Sequence, residues 1–268
     1  MAEQEIFRIE KEAAVAWLVL DRPDKRNTMT MDFFSGLGEI FRQFDRDPET
    51  RVIVIRAEGR DFTVGLDLME AAGFFAETGA ANREETRRKI AEIQACLNAV
   101  ERCRKPVIAA VHGYCIGGGV DLLCACDIRL ACRDTVFSIR ETRIGIIADI
   151  GTLQRMPHII GHGWFNELAL TGRNFTAQEA LQMGFITGIY EDKEALVARA
   201  GELAREIAQC PPLAVQGVKE VILFSRDNGV YPGLDYVAQK NAAVLPNEDV
   251  IEAIQAFMEK RTPIFKGR

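Results

Sequence analysis

The hydrophobic pattern changes along the chain, from short apolar runs between helical segments to helical segments alone. Residues 6–10 and 14–20 alternate or run apolar around the polar segment KEAA, which predicts a β-hairpin. Apolar residues spaced by three and four from Phe33 to Phe44 predict a helix. The segment REETRRKIAEIQACLNAVERCRK predicts a longer amphipathic helix that stops near Pro106. Further strands are predicted for RVIVIRAE, PVIAAVHG, IRLAC, TVFSI and FITGIY.

Strand patterns nearly vanish after about residue 152. The segment TAQEALQMG is typical of a capped helix with glycine at its end. Further helices are predicted over 193–209, 212–225, 230–244 and 247–260. The expected fold class is therefore α/β, with a core of alternating strands and helices followed by an all-helical C-terminal part.

Charge and cysteine content argue against several kinds of partner and site. The 268 residues carry a net charge of −6 and a pI of about 5.3, with no block of like charges. This composition argues against nucleic acid or an anionic membrane as the main partner. The seven cysteines are odd in number and mostly lie within apolar runs, so we expect reduced, buried thiols rather than disulfides.

The sequence shows no targeting or membrane segment. The beginning, MAEQEIFRIE, lacks the basic start and apolar stretch of a signal peptide. No run approaches the roughly 18 apolar residues that a membrane helix needs. The end, FKGR, is not a peroxisomal address. We therefore expect a cytoplasmic protein.

Two glycine-rich segments are candidates for binding negative charge. VIAAVHGYCIGGG predicts a strand that leads through glycines into a helix, and such turns expose backbone N–H groups at a helix N-terminus. GRDFTVGLDLMEAAG has similar character around Gly65. If the two sets of amides face each other, they provide the two donors that a thioester enolate needs.

Dinucleotide and metal sites are weaker alternatives. The spacing G-x-G-x-x-G is absent from the glycine-rich turn, and no acidic residue ends a following strand at the expected distance. His158 and His162 lie four positions apart, which would suit one helical face. However, no glutamate lies between them and Gly161 weakens a helix there, so surface or packing histidines are the simpler interpretation.

Three acidic residues occur where the chain is otherwise apolar and glycine-rich. Asp121 lies about one turn into the glycine-started helix, Glu141 follows the strand TVFSI, and Asp149 interrupts GIIADIGTLQR. Each alone is compatible with a cap or a salt bridge, and Asp149 in particular could cap the helix IGTLQRM. Carboxyl groups that are desolvated together acquire raised and separated pKa values, which suits proton transfer.

Four segments together resemble the crotonase superfamily, also called the enoyl-CoA hydratase/isomerase family. They are LDRPDKRNTM, DFTVGLDL, KPVIAAVHGYCIGGGVDLLCACDIRLA and EALQMGFI. The resemblance covers essentially the whole chain. It implies a crotonase-like ββα spiral core with an acyl-CoA site over residues 1–200 and a helical trimerisation region over 201–268. It also implies an acyl-CoA thioester substrate, a homotrimer or a hexamer built as a dimer of trimers, and no metal or redox cofactor.

The resemblance assigns an oxyanion hole and a substrate channel to particular residues. Backbone N–H groups of Val64 and Gly118 would hold the thioester oxygen. The residues that would line the CoA and thioester channel are Arg26, Val64, Gly65, Leu66, Asp67 and Gly118.

Within this family the acids select the reaction. Hydratases have two glutamates, which correspond to Asp121 and Glu141, and they have glycine at the position of Asp149. The Asp/Glu/Asp set, with ADIGTLQR, resembles instead the Δ3,5-Δ2,4-dienoyl-CoA isomerase branch of the family. That resemblance implies proton removal at C2 by Glu141, proton delivery at C6 by Asp149 and a supporting role for Asp121, within fatty-acid β-oxidation. Eukaryotic members carry targeting segments, and their absence here fits a bacterial cytoplasmic version.

Two alternative functions remain at this stage. In an enoyl-CoA hydratase, Asp121 and Glu141 would activate water, although the third acid would crowd the water position. The second alternative is a non-catalytic acyl-CoA-binding or RNA-binding relative, and the RNA-binding members of the family use a lysine-rich helix. The basic residues Arg83, Arg87, Arg88 and Lys89 alternate with acids, which is more typical of a solvated helix face.

Overall fold

The structure is a computed structural model that describes residues 6–75 and 80–268, with side chains described for 6–71 and 82–268. Its strands are β1 (Phe7–Glu12), β2 (Val15–Leu20), β3 (Val52–Ala57), β4 (Val107–Val111), β5 (Tyr114–Ile116), β6 (Ile128–Cys132), β7 (Val136–Ser138), β8 (Asn174–Thr176) and β9 (Gly188–Tyr190). Its α-helices are α1 (Met31–Arg46), α2 (Leu68–Phe75), α3 (Ala80–Arg102), α4 (Gly118–Ala125), α5 (Thr152–Arg155), α6 (His162–Thr171), α7 (Ala177–Gln182), α8 (Lys193–Ala208), α9 (Pro212–Asn228), α10 (Val230–Val244) and α11 (Glu248–Glu259). Short 3₁₀ turns cover Pro23–Lys25, Glu141–Ile144 and Met156–His158.

Two sheets form the core. The larger sheet has the strand order β1-β2-β3-β4-β6-β9, and the smaller has the order β5-β7-β8. The predicted hairpin is confirmed, since β1 pairs antiparallel with β2, whereas every later neighbour in the larger sheet pairs parallel. Strands β2 and β4 are buried at every position, because helices cover both faces of a parallel sheet and remove the need for polar alternation.

The helices place their apolar faces on opposite sides of the larger sheet. On one side, Phe33, Leu37 and Phe41 of α1 join the main hydrophobic cluster, together with Leu97 of α3. On the other side, α8 packs its small buried residues against Trp17 and neighbouring strand residues. The α/β prediction is therefore confirmed, with helices α8 to α11 following the last strand. The predicted division at residue 200 falls inside α8, and the division itself stays a prediction.

The turn between β5 and α4 brings the backbone of Gly117 close to the side chain of Glu141. Gly117 precedes α4 with φ +55°, a left-handed conformation that favours glycine. A Cβ atom at this residue would lie 2.8 Å from Oε1 of Glu141. Helix α4 that follows is buried along its whole length, which explains why its sequence is apolar apart from Asp121.

His158 and His162 do not share a helix. His158 ends the 3₁₀ turn Met156–His158, and His162 begins α6 after Gly161. Within the described part of the chain, no group of three or more His, Cys, Asp and Glu residues is arranged to hold a metal ion. The metal alternative therefore loses its geometric basis.

Candidate active site

An apolar cavity of about 220 Å³ lies between the start of α1, the loop before α2, helix α3 and the loop 144–150. Its apolar walls include Met29, Phe34, Leu66, Ile90, Ile93, Ile146 and Ile150. Two acids, Glu141 and Asp149, line the same cavity, as do Gly117 and Gly118 from the start of α4. A largely apolar pocket with a few converging polar groups is the usual form of a small-molecule site.

Glu141 lies directly over the glycine turn. It follows β7 and begins a 3₁₀ turn, and its carboxyl group occupies the space that a side chain at Gly117 would need. Its Oε2 atom is buried and has no hydrogen-bond partner among the described residues. Burial, followed by the charges of Asp121 and Asp149, raises the pKa of Glu141 to about 7. A carboxyl with this pKa is well matched to proton abstraction near neutral pH.

Asp121 is fully buried on α4. Its Oδ1 atom accepts a 2.6 Å hydrogen bond from the backbone N–H of Thr152, whereas its Oδ2 atom has no partner among the described residues. Burial raises the pKa of Asp121 to about 6, against the effect of the Thr152 hydrogen bonds, and the charge of Asp149 raises it further. Asp121 does not line the cavity in the described structure, so its position fits the supporting role expected from the sequence.

Asp149 is partly buried and lines the cavity in the loop that precedes α5. Its backbone carbonyl accepts a 2.6 Å hydrogen bond from Nε2 of Gln94 on α3. Burial raises the pKa of its carboxyl group. The alternative that Asp149 caps the next helix is wrong, because Gly151 is the N-cap of α5 and the free Thr152 amide goes to Asp121.

The buried charge of Asp121 makes protein stability depend on pH. Because its folded-state pKa lies above the ordinary 3.8, the folded protein holds this proton more tightly, and the free energy of unfolding falls as pH rises from about 4 to about 6. In Asp121→Asn, which keeps the acceptor for Thr152, this part of the decrease disappears. We expect the stability difference between variant and wild type to grow by roughly 2–3 kcal/mol between pH 4 and pH 7.5 in denaturant unfolding. Parallel pH curves for the two proteins would contradict this prediction.

One of the two backbone N–H groups expected to hold the thioester oxygen, that of Val64, already has an acceptor. The N–H group of Val64 donates to the carbonyl of Arg26 at 3.3 Å, and that of Gly65 donates to Oγ1 of Thr63 at 3.1 Å. In the described structure, the N–H groups of Leu66 and Gly118 have no acceptor. The amide of Val64, expected from the sequence as the first oxyanion donor, is therefore already used within its own loop, whereas the amide of Leu66 two residues later is available.

The two glycine-rich segments pack directly against each other. Gly65 has φ +86°, and a Cβ atom there would lie 2.6 Å from the carbonyl oxygen of Ile116 and 3.7 Å from the amide nitrogen of Gly118. The expectation that these segments face each other is therefore confirmed. Only glycine permits this approach, which keeps both sets of amides at the same wall of the cavity.

The structure brings most of the expected channel residues together. Val64, Gly65, Leu66, Asp67 and Gly118 all line the cavity. Asp67 also precedes α2, and its Oδ1 atom accepts a 3.2 Å hydrogen bond from the backbone N–H of Met69 in the first turn of that helix.

Arg26 lies apart from this group. Its Nε atom is 2.7 Å from Oδ2 of Asp61, its guanidinium lies over the Tyr114 ring, and its side chain is 47% exposed. It does not line the cavity in the described structure, and its contact with CoA stays a prediction.

The chain is similar to known proteins over nearly its whole length. The sequence matches the family described as Enoyl-CoA hydratase/isomerase over residues 10–268. The chain belongs to this family. A crystal structure of an enoyl-CoA hydratase from Bacillus anthracis superposes with a TM-score of 0.91 at 33% sequence identity, covering 98% of this chain and 100% of that one. The crotonase-like fold expected from the sequence is thereby confirmed.

Relatives within the enoyl-CoA hydratase/isomerase family include several dienoyl-CoA isomerases. The peroxisomal Delta(3,5)-Delta(2,4)-dienoyl-CoA isomerase of Arabidopsis thaliana is 42% identical over 266 residues, which are 97% of this chain and 96% of the relative. The mitochondrial enzyme of the same name from Mus musculus is 42% identical over 247 residues, covering 90% of this chain and 76% of the relative.

These names contradict the expectation of a cytoplasmic protein. The relatives from Arabidopsis, mouse and human are peroxisomal or mitochondrial by name. The expectation was based only on the absence of targeting signals. The names of these relatives are stronger evidence about the compartment than that absence. No helix among residues 6–75 and 80–268 is long and apolar enough to cross a bilayer.

Proposed function

We propose that this protein is a Δ3,5-Δ2,4-dienoyl-CoA isomerase that acts in fatty-acid β-oxidation. The observation that carries the proposal is the position of Asp149, a third acid on the wall of the same apolar cavity as Glu141. Identities of about 42% to curated dienoyl-CoA isomerases over nearly the whole chain support the same activity.

The proposed reaction moves one proton off the substrate and another onto it. The Glu141 carboxylate takes a proton from C2 of a 3,5-dienoyl-CoA, and the released electron pair extends through the diene to the thioester oxygen. Double bonds then form between C2 and C3 and between C4 and C5, while C6 takes a proton from the Asp149 carboxyl. No electrons are gained or lost overall, so the reaction needs no redox partner, and the proposal includes no metal or other cofactor besides the CoA of the substrate.

Two acids are needed because C2 and C6 lie several Å apart on an extended chain. One carboxyl group cannot readily reach both carbons, so the second must lie further along the acyl pocket. Burial raises the pKa values of both Glu141 and Asp149, which suits carboxyl groups that exchange protons with a substrate. The proposed reaction requires Glu141 to be ionised and Asp149 to be protonated at the start. The charge of Asp149 also raises the pKa of Glu141, so the protonation of Glu141 depends on that of Asp149.

The dienolate oxygen is held in this proposal by the N–H groups of Leu66 and Gly118. Both donors lie on cavity-lining residues and have no acceptor in the described structure. Gly118 is also the first residue of α4, where the helix dipole favours negative charge. Loss of one donor of this kind typically costs about 3 kcal/mol of transition-state stabilisation.

The proposed assembly is a homotrimer or a dimer of trimers. Helices α9 to α11 leave large apolar side chains exposed, and a monomer in water rarely keeps so many. They are Val218, Ile222, Val230, Tyr231, Leu234, Ile251, Ile254, Phe257 and Met258.

The RNA-binding alternative receives no support from the basic residues of α3. Arg87 and Arg88 both pair with Glu84, and Lys89 pairs with Glu85. Their charges are therefore largely compensated along the helix surface, as in an ordinary solvated helix. The proposal accordingly includes no nucleic-acid partner and no membrane partner.

A direct substrate comparison tests the proposed activity against hydration. Purified protein is given a 3,5-dienoyl-CoA and crotonyl-CoA in parallel, with diene absorbance and hydrated product measured. We expect rapid growth of the 2,4-diene absorbance and much slower hydration, because Asp149 crowds the position that attacking water would use. Rapid hydration of crotonyl-CoA without any 2,4-diene product would reject the isomerase in favour of a hydratase.

A further inference from the structure

The loop that carries Asp149 is held from two sides by side chains of different helices. Gln94 on α3 donates through Nε2 to the Asp149 carbonyl at 2.6 Å. Three residues later, the Thr152 amide donates to Asp121 on α4, also at 2.6 Å. Gly151 between them has φ +138°, and glycine has little intrinsic preference for one backbone conformation. These two attachments, together with a 3.4 Å hydrogen bond from Arg155 to the Ile150 carbonyl, hold the backbone from which the Asp149 carboxyl group extends.

Gln94 lies beside the face of α3 that forms the acyl cavity. Ile90, four positions earlier, lines that cavity, and residues at this spacing are neighbours on a helix surface. The helix that bounds the acyl chain thus also holds the backbone of the proposed proton donor. Any change in the Gln94 contact changes the distance between the Asp149 carboxyl and the substrate tail.

A second, polar cavity of about 430 Å³ lies behind the loop. Its lining includes Gln94, Asn98, Asp149, Gln154 and His158. The loop therefore has room to move away from the acyl pocket on this side. Without the Gln94 amide, the Asp149 carbonyl can turn towards this cavity and take its hydrogen bond from water.

The rest of the loop is anchored independently of Gln94. Arg155, only 8% exposed, bonds Glu101 on α3 at 3.0 Å and also bonds Asn98. Burial acts to raise the pKa of Glu101, but hydrogen bonds from Arg226 and Arg155 outweigh it and lower the pKa, so this carboxyl stays ionised. Loss of the Gln94 contact therefore acts locally on Asp149 and leaves α5 attached to α3.

We propose that Gln94 is a positioning residue that holds Asp149 within reach of C6. The inference rests on the proposed isomerase activity. Gln94 does not transfer a proton; it fixes the backbone from which the Asp149 carboxyl extends. Displacement of a reacting group by about 1 Å can cost on the order of 10²-fold in rate.

The test compares Gln94→Leu with Gln154→Leu, a matched loss of one glutamine from the same polar cavity. We expect Gln94→Leu to lower kcat for a 3,5-dienoyl-CoA by about 10- to 100-fold with KM within about twofold, since the substrate cavity is intact. Gln154→Leu should stay near wild type, as should the melting temperatures of both variants. If Gln94→Leu has a lower melting temperature than wild type, the measurement is repeated with Gln94→Met, which keeps the side-chain length.

A double-mutant cycle separates positioning from general structural support. If Gln94 acts through Asp149, then adding Gln94→Leu to Asp149→Asn causes little further loss of the remaining activity. A wild-type kcat in Gln94→Leu, an equal loss in Gln154→Leu, or an undiminished effect in the Asp149→Asn background would overturn the inference while the isomerase activity stands. A wild-type protein that forms no 2,4-diene would overturn both.

Discussion

Asp149→Asn is expected to lower kcat for a 3,5-dienoyl-CoA on the order of 10³-fold, with acyl-CoA affinity within about twofold. Asparagine has nearly the size of aspartate but carries no acidic proton, so C6 of the dienolate loses its donor. The apolar walls of the cavity, which provide most of the binding surface, are unchanged. Diene absorbance gives kcat, and calorimetry with an unreactive acyl-CoA gives the dissociation constant.

Hydrogen exchange at C2 shows which half of the reaction is lost. In D₂O, Asp149→Asn should still exchange deuterium into C2 of the unreacted substrate, because Glu141 and the backbone donors remain. Unchanged turnover in this variant would contradict the role of Asp149. Loss of exchange together with turnover would show that Asp149 is needed for the first step as well.

Glu141→Gln is expected to remove both steps. Its amide cannot accept the C2 proton, so kcat should fall on the order of 10³-fold and C2 exchange should stop. Wild-type kcat/KM should rise with pH as Glu141, with its pKa of about 7, becomes ionised. Rate measurements and mass spectrometry of substrate recovered from D₂O check both points.

The contrast with Asp149→Asn provides the control. The two variants make the same chemical change, carboxyl to amide, on the wall of one cavity, yet they should differ in C2 exchange. Exchange at the wild-type rate in Glu141→Gln would assign the C2 proton to another group.

The sequence was informative about the acids because their surroundings are unusual. An acid within an apolar or glycine-rich segment is costly unless it is used, and this reasoning singled out Asp121 and Asp149. In the structure both lie close enough to Glu141 for their charges to raise its pKa. The sequence also left open a helix cap for Asp149. The structure decided that point, because the Thr152 amide is taken by Asp121 from a helix about 30 residues earlier in the chain.

Other features could not be predicted from the sequence for physical reasons. The direction of a backbone N–H depends on local dihedral angles, so sequence alone did not distinguish Val64 from Leu66 as a free donor. Gln94 meets Asp149 across 55 positions of sequence, and nothing near either residue indicates the contact. The prediction of a cytoplasmic protein was wrong for a different reason. It was inferred from targeting signals that were missing rather than from residues that were present.

Gly117 has a consequence for redesign of substrate choice. Even a methyl group there would collide with the base, so a mutational library aimed at new acyl chains should keep this codon fixed. Diversity belongs instead at Ile90, Ile93 and Ile146, whose side chains form the hydrocarbon wall without bearing on the ionisable groups. Variants of this kind can change the shape of the pocket for the acyl chain while the glycine turn and the acids stay in place.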